Sequence, residues 1–257
     1  MTEGLDISIL GPAFVAGLLV LATHVPLGTE VLRRGIVFID LAIAQIATLG
    51  VIAAHMAGAA EASWQIQVAA LAFAAGGAGL LALMERWLPE IQEALIGSIF
   101  VLAASLAILL LANDPHGGEE LRDLLVGQIL WVGKDQLALM GAATGLLLLA
   151  WFTGVLRIRG RGFYVGFSVA VTLSVQLVGV YLVFASLILP ALAVRKLSAR
   201  PQLMLGYGLG AVGYLAGLVV SAVLDLPSGA VIVWTLAAAG LLVGTVAARV
   251  ESPTRGE

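Results

Sequence analysis

Gln176-Leu-Val-Gly-Val-Tyr-Leu-Val-Phe-Ala-Ser-Leu-Ile-Leu-Pro-Ala-Leu-Ala-Val-Arg-Lys196 is an apolar run broken by Gly179 and Pro190 and stopped by two positive charges. Lipid tolerates an interrupted helix only where protein or a water-filled cavity satisfies the freed backbone groups. Broken spans of this kind point to a transport path. Followed back to Phe163, the apolar sequence continues to Val194 without a charge. One helix over that length would extend about 48 Å, well beyond a hydrocarbon core of ~30 Å. Two helices would each be slightly short. The sequence therefore predicts a broken or re-entrant pair near 163–194, turning near Gly179.

The rest of the chain agrees with a membrane setting. Of 257 residues, 61% are hydrophobic and 11% charged, against about 25% charged in soluble domains. Apolar windows of helical length recur at 8–25, 36–57, 63–84, 94–112, 136–156, 163–178, 180–194, 203–224 and 230–248. The expected fold is all-α, a polytopic bundle of about 8–10 spans. No region is polar enough for a separate soluble domain, so residues 1–257 read as one integral membrane domain. Residues 121–133 are too short to cross unaided and read as a half-helix or a short tenth span. Residues 8–24 follow Thr2, Glu3 and Asp6 with no basic residue, and read as a retained helix rather than a signal peptide. Cysteine is absent, which removes disulfides and thiolate metal sites. No phosphate loop, His-Glu-x-x-His or Gly-x-Ser-x-Gly occurs. ATP hydrolysis is thus expected on another chain, and nothing suggests a nucleic-acid partner.

Charge placement gives an orientation. If the chain turns near Gly179, then Arg157, Arg159 and Arg161 share a side with Arg195, Lys196 and Arg200, and with Arg249 and Arg255. By the positive-inside tendency that side is cytoplasmic. The amino-terminal half depends on residues 121–133. If they cross, Arg33 and Arg34 face outward; if they do not, Arg33 and Arg34 are cytoplasmic.

Ionisable residues within a span are costly and usually functional. Asp40 falls about one turn into the second span, with Gln45 deeper on the same helix. At about 100° per residue the two stand ~140° apart and do not share a face. Asp40 reads either as a path residue or as a partner of Arg33 or Arg34. His24 and His55 are expected at helix ends, with their rings at the interface. His116, in the acidic loop Asn113–Asp123, is either a cation collector through imidazole and oxygen ligands or simply solvated. Glu93 suits the positive start of the fourth helix. Asp225 is expected to cap the last helix, and Gln176 and Ser186 are candidates to line a path. The pairs Gly206/Gly210 and Gly213/Gly217 allow close helix packing.

Several blocks, in order, resemble a known family. They are Leu32-Arg-Arg-Gly-Ile-Val-Phe-Ile39, Glu93-Ala-Leu-Ile-Gly-Ser-Ile-Phe100, Leu124-Leu-Val-Gly-Gln-Ile-Leu-Trp-Val-Gly-Lys-Asp-Gln-Leu137, the 176–196 segment and Leu224-Asp-Leu-Pro-Ser-Gly-Ala-Val-Ile-Val233. Together they are similar to the zinc/manganese permeases of ABC importers. The resemblance implies a multi-pass protein of the bacterial inner membrane with zinc or manganese as cargo and no cofactor of its own. It also implies a second permease subunit (a copy or a paralogue), ATP-binding cassette ATPase subunits carrying ATP, and an extracytoplasmic metal-binding protein. The ATPase would dock near Arg157, Arg159, Arg161, Arg195, Lys196 and Arg200. The family's polar docking stretch is shortened here to 157–162. Its second helix carries an Asp and a His, four apart, implicated in passing the metal. Aligned on Phe38, those positions are Leu41 and Gln45, while Asp40 stands at the family's glycine. The expected path residues are Asp40, as a tentative metal ligand, with Gln45 and Gln176. Rival readings are a permease for another cargo, such as a metal chelate, and a nontransporting membrane subunit.

Overall fold

The computed structural model describes residues 7–59, 64–111, 125–156 and 162–250, with side chains through residue 245. Among the described residues the chain is helical and contains no strand. The helices are α1 (Ile7–Arg34), α2 (Ile39–Met56), α3 (Trp64–Trp87), α4 (Gln92–Leu111), α5 (Lys134–Phe152), α6 (Gly162–Ala193), α7 (Ala199–Leu224) and α8 (Ser228–Val250). All eight are long and apolar enough to cross a bilayer. α6 and α2 are the most enclosed, with 72% and 67% of their apolar spans buried, against 17% for α5 and α8. The bundle is thus built around α2 and α6, with α4, α5 and α8 presenting large apolar side chains outward.

α6 holds the feature read from the sequence. Its helical backbone is interrupted at Gly179, where φ is 78° and ψ 162°, a conformation open to glycine and hardly to other residues. Contacts on either side show that the chain folds back there. The Phe163 ring lies 4.4 Å from the Arg34 guanidinium at the end of α1. Leu187 and Ala191 press on Gly28, two turns earlier in α1. A straight helix would separate Phe163 from Ala191 by about 42 Å, whereas Gly28 and Arg34 are about 9 Å apart along α1. The second limb then runs parallel to α8: Leu189 and Ala193 lie beside Gly240, and Ala193 beside Gly244.

The turn is held from outside by residues 125–133, which contain a short 3-10 turn at Ile129–Trp131. A Cβ on Gly127 would strike Val178 and the Gly179 nitrogen, and one on Gly179 would strike Val126 and Gly127. The two glycine backbones therefore touch. Gly127 also has a positive φ of 72°. Val126 in turn presents its carbonyl to Gly229 at the start of α8. Over its described residues, 125–133, this segment stays at the end of the bundle where α5 and α8 begin and does not cross; residues 121–124 of the proposed half-helix or tenth span lie outside the described residues. Arg33, Arg34, Arg86, Arg195, Lys196 and Arg200 consequently lie at one end of the bundle and Lys134 at the other. We label this basic end cytoplasmic on the positive-inside tendency; Arg33 and Arg34 lie at it, as in the sequence alternative where residues 121–133 do not cross.

α1 is longer than the apolar window ending at residue 25, because Pro26 lies inside it. Proline cannot donate to the carbonyl four residues earlier. The Tyr207 hydroxyl of α7 donates instead to that carbonyl, Ala22 O, at 3.1 Å. α1 ends at Gly35, with φ 71°, where Gly35 N–H bonds Leu32 O and Ile36 N–H bonds Val31 O, the paired pattern of a Schellman stop. α7 uses its glycines on two faces. Gly206 and Gly210 receive Val25 and Leu21 of α1, whereas Gly213 and Gly217 receive Leu236 and Ile232 of α8.

The cytoplasmic ends are tied together by charge. The nearly buried Glu30 carboxylate accepts from Arg33 and Arg34. Arg34 reaches on to Glu85 of α3 at 2.8 Å and stacks on Phe163 of α6. Beside it, Gln92 of α4 donates to the Tyr164 hydroxyl at 2.9 Å, and Phe38 N–H donates to Glu93 at 3.3 Å. Five helix ends meet in this network.

Gly179→Ala forces a positive-φ alanine into Gly127, and should destabilise the folded protein by about 2–3 kcal/mol, read as a lowered melting temperature in detergent. Tyr207→Phe strands the Ala22 carbonyl, and should cost about 1–3 kcal/mol in the same assay. A Tyr207→Phe protein melting like wild type would show that α1 holds its bend at Pro26 without α7.

Candidate functional site

The polar groups of the bundle divide into those with partners and those without. Several expectations fall on the first side. Ser186 donates to Leu182 O at 2.6 Å and is 2.8 Å from the Tyr214 hydroxyl, while the Tyr214 ring fills the space over Gly17. Ser186 therefore joins α6 to α7. Asp225 is left-handed, with φ 52°; it terminates α7 rather than capping the last helix. Glu93 stands at the start of α4 as expected, one oxygen on Phe38 N–H. His55 is half-buried in the last turn of α2. His116, Arg157, Arg159 and Arg161 lie outside the described residues. Arg195, Lys196 and Arg200 are exposed at the cytoplasmic end.

Asp40 is on the other side of the division. It is fully buried, and neither carboxylate oxygen has a hydrogen-bond partner among the described residues. The alternative of an Asp40 pair with Arg33 or Arg34 does not hold, since Glu30 and Glu85 occupy those guanidiniums. Why α2 carries an aspartate here follows from its position. Asp40 is in the first turn, where the helix dipole favours a negative charge, yet packing of α2 on α3, α4 and α6 closes it from water.

Further along α2, Gln45 Oε1 and Thr48 Oγ1 are buried without partners. On the first limb of α6, which packs on α2, Thr172 Oγ1, Ser174 Oγ and Gln176 Nε2 are likewise unpartnered. Buried polar atoms are nearly always bonded, so each exception asks for a reason. With 1.5 Å of rise per residue, Asp40, Gln45 and Thr48 lie about 2, 9 and 14 Å from the cytoplasmic end of α2. Thr172 and Gln176 lie about 15 and 21 Å from that end of α6. Thr172 and Gln176, four apart, share a face, and Thr48 falls between Asp40 and Gln45 around α2. Unbonded oxygens and amides thus follow one another through the depth of the bundle. Asp40, Gln45 and Gln176, singled out in the sequence, are among these unpartnered groups. Sequence reading passed over Thr48, Thr172 and Ser174, because hydroxyls in apolar helices usually bond back to their own backbone, as Ser98 does.

The sequence expectation for His24 is overturned. Instead of an interfacial ring at a helix end, it is a fully buried side chain in the interior of α1. Extension of the helix through Pro26 accounts for the difference. Among the described residues no three His, Cys, Asp or Glu side chains stand close enough to hold a metal ion together. The groove between α1, α5 and α7, bounded by Leu18, Leu148, Phe152 and Tyr207, is apolar and involves none of the unpartnered groups.

The architecture has solved counterparts. PsaBC from Streptococcus pneumoniae, in complex with a Fab, is 20% identical with a TM-score of 0.72, over 91% of this chain and 90% of that one. An inward-facing structure of a transporter described as metal-chelate type ABC is 18% identical with a TM-score of 0.67, over 93% of this chain and 85% of that one. At these identities the likeness is one of fold. No curated protein sequence matches significantly. The family model of the ABC 3 transport family matches residues 6–159 and 155–247, and with nearly the whole length accounted for, the chain belongs to that family of membrane-spanning transport subunits.

Proposed function

We propose that the chain is the permease subunit of an ABC importer for divalent metal ions, zinc and/or manganese, in a bacterial inner membrane. The observation that carries this reading is Asp40: a fully buried carboxylate with both oxygens unpartnered, in a protein whose other carboxylate buried within a span, Glu30, is fully engaged by arginine. An uncompensated carboxylate is costly inside a membrane and marks ion pathways. A divalent cation supplies the missing charge when it passes. Gln45 and Gln176 contribute neutral polar atoms along the same route, through the α2–α6 interface.

ATP is bound and hydrolysed on a separate ATP-binding cassette subunit, docked at the cytoplasmic face near Arg157, Arg159, Arg161, Arg195, Lys196 and Arg200. A second permease subunit, either a copy or a paralogue, completes the membrane assembly, and an extracytoplasmic metal-binding protein delivers the cargo. Motion at the ATPase is transmitted to the helix ends gathered around Arg34. The limbs of α6, turning on Gly179, shift against α2 and expose the route alternately to either side. This is alternating access, in which the permease contributes shape and ligands but no bond chemistry.

A chelated metal is the second reading, favoured by the lack of any three-ligand cluster among the described residues. A chelate carries its own ligands and needs only a polar, roomy lining.

In vesicles containing the assembly with its ATPase and binding protein, Asp40→Asn should reduce ATP-driven zinc and manganese uptake at least about tenfold, while ATPase stimulation by the binding protein persists. Stimulated ATPase without uptake of either ion by wild type would sink the free-ion reading in favour of the chelate. Charge reversal of Arg195, Lys196 and Arg200 together should weaken ATPase association in pull-downs, an effect deepened by raising salt.

A further inference from the structure

Val20, Thr23 and His24 form a small cluster inside α1. His24 Nδ1 is 2.9 Å from the Val20 carbonyl one turn earlier and 3.0 Å from the Thr23 hydroxyl. That hydroxyl lies 3.1 Å from the same carbonyl and donates to it. A carbonyl can only accept, so the short Nδ1–Val20 contact requires a proton on Nδ1. The opposite tautomer would set two lone pairs against each other at 2.9 Å. Neutral imidazole with its proton on Nδ1 has a bare lone pair on Nε2. In this structure Nε2 is buried and has no partner among the described residues.

This is the arrangement that prepares a histidine to bind a metal. Ligating imidazoles characteristically give their other N–H to a carbonyl or carboxylate, which fixes the ring and raises the basicity of the free nitrogen. His24 is set at about 15 Å from the cytoplasmic end of α1, level with Thr48 and Thr172. It lies one turn before Gly28, on the face of α1 against which Leu187 and Ala191 of the second α6 limb pack. Of the carboxyl and imidazole groups buried in the described spans, Glu30 is held by arginines. Only His24 and Asp40 are fully buried with partnerless atoms.

We infer that His24 Nε2 is a ligand for a divalent cation within the bundle, at the α1–α6 interface. The inference rests on the divalent-ion reading above and adds to it a nitrogen donor on α1. Zinc and its neighbours among the first-row metals favour imidazole nitrogen. One histidine, completed by water and neutral oxygens, holds an ion weakly enough to release it, as conduction requires.

The test uses cobalt(II) as a spectroscopic stand-in, added to the purified permease–ATPase complex in lipid nanodiscs and read by X-ray absorption and visible spectra. Wild type should show imidazole scattering from the bound ion. His24→Gln should lose that component and bind cobalt at least about tenfold more weakly, with an unchanged melting temperature before metal is added. His24→Cys, which keeps a ligand at this position, should restore binding with a thiolate-to-cobalt charge-transfer band. Identical cobalt spectra in wild type and His24→Gln would overturn the inference, as would a His24→Cys protein without the thiolate band. Failure of the import reading looks different: wild type then takes up neither zinc nor manganese in vesicles, while the His24-dependent cobalt spectrum remains.

Discussion

Two glycine backbones in contact, Gly127 and Gly179, set the geometry on which the remainder of this protein depends. No side chain can be inserted between them, and both adopt positive φ. Because the chain reverses there, α6 becomes two limbs of opposite direction. Arg195, Lys196 and Arg200, which follow α6, then fall at the same end of the bundle as Arg33 and Arg34. Without the reversal, Arg195, Lys196 and Arg200 would lie across the membrane from Arg33 and Arg34. The charge asymmetry that orients the protein is thus a consequence of one backbone contact.

The basic end and the interior of the bundle use polar groups in opposite ways. At the cytoplasmic end, carboxylates and guanidiniums are matched, with Arg34 bridging Glu30 and Glu85 over an aromatic floor of Phe163. This matching resists pulling the helix ends apart one by one, and so favours their movement as a unit. In the interior, by contrast, acceptors and donors on α2 and α6 are left unmatched. Such atoms are costly when dry, and the cost is met only when something polar enters. On the import function proposed above, a bundle stitched at its end and unsatisfied along its middle suits polar cargo passing between rigid elements.

Much of this was legible in the sequence, for physical reasons that can be named. Gly179 inside an apolar run too long for one crossing announced the turn, because bilayer thickness sets helix length. Asp40 announced itself as a charge where charges are costly. What escaped was whatever depends on partners distant in the chain. The apolar window ends at residue 25, yet Tyr207 bonds the Ala22 carbonyl that Pro26 leaves without a donor, and α1 continues to Arg34, so His24 lies in its interior rather than at a boundary. Ser186 reads as a free hydroxyl until Tyr214 is seen beside it. The two roles of the α7 glycines, one pair for α1 and one for α8, have the same spacing and cannot be told apart by it.

The shortness of the α6 limbs bears on how the protein is made. Neither limb has the length of a comfortable independent crossing, and the bend between them exposes backbone that lipid cannot satisfy. The tip is covered by residues 125–133, which precede it in the chain, so the segment that shields the bend is made before the hairpin it shields. Its second limb stays incompletely covered until α7 and α8 emerge. A chain interrupted before α8 would lack the helix that packs along the second limb at Gly240 and Gly244, and would leave that side of α6 uncovered.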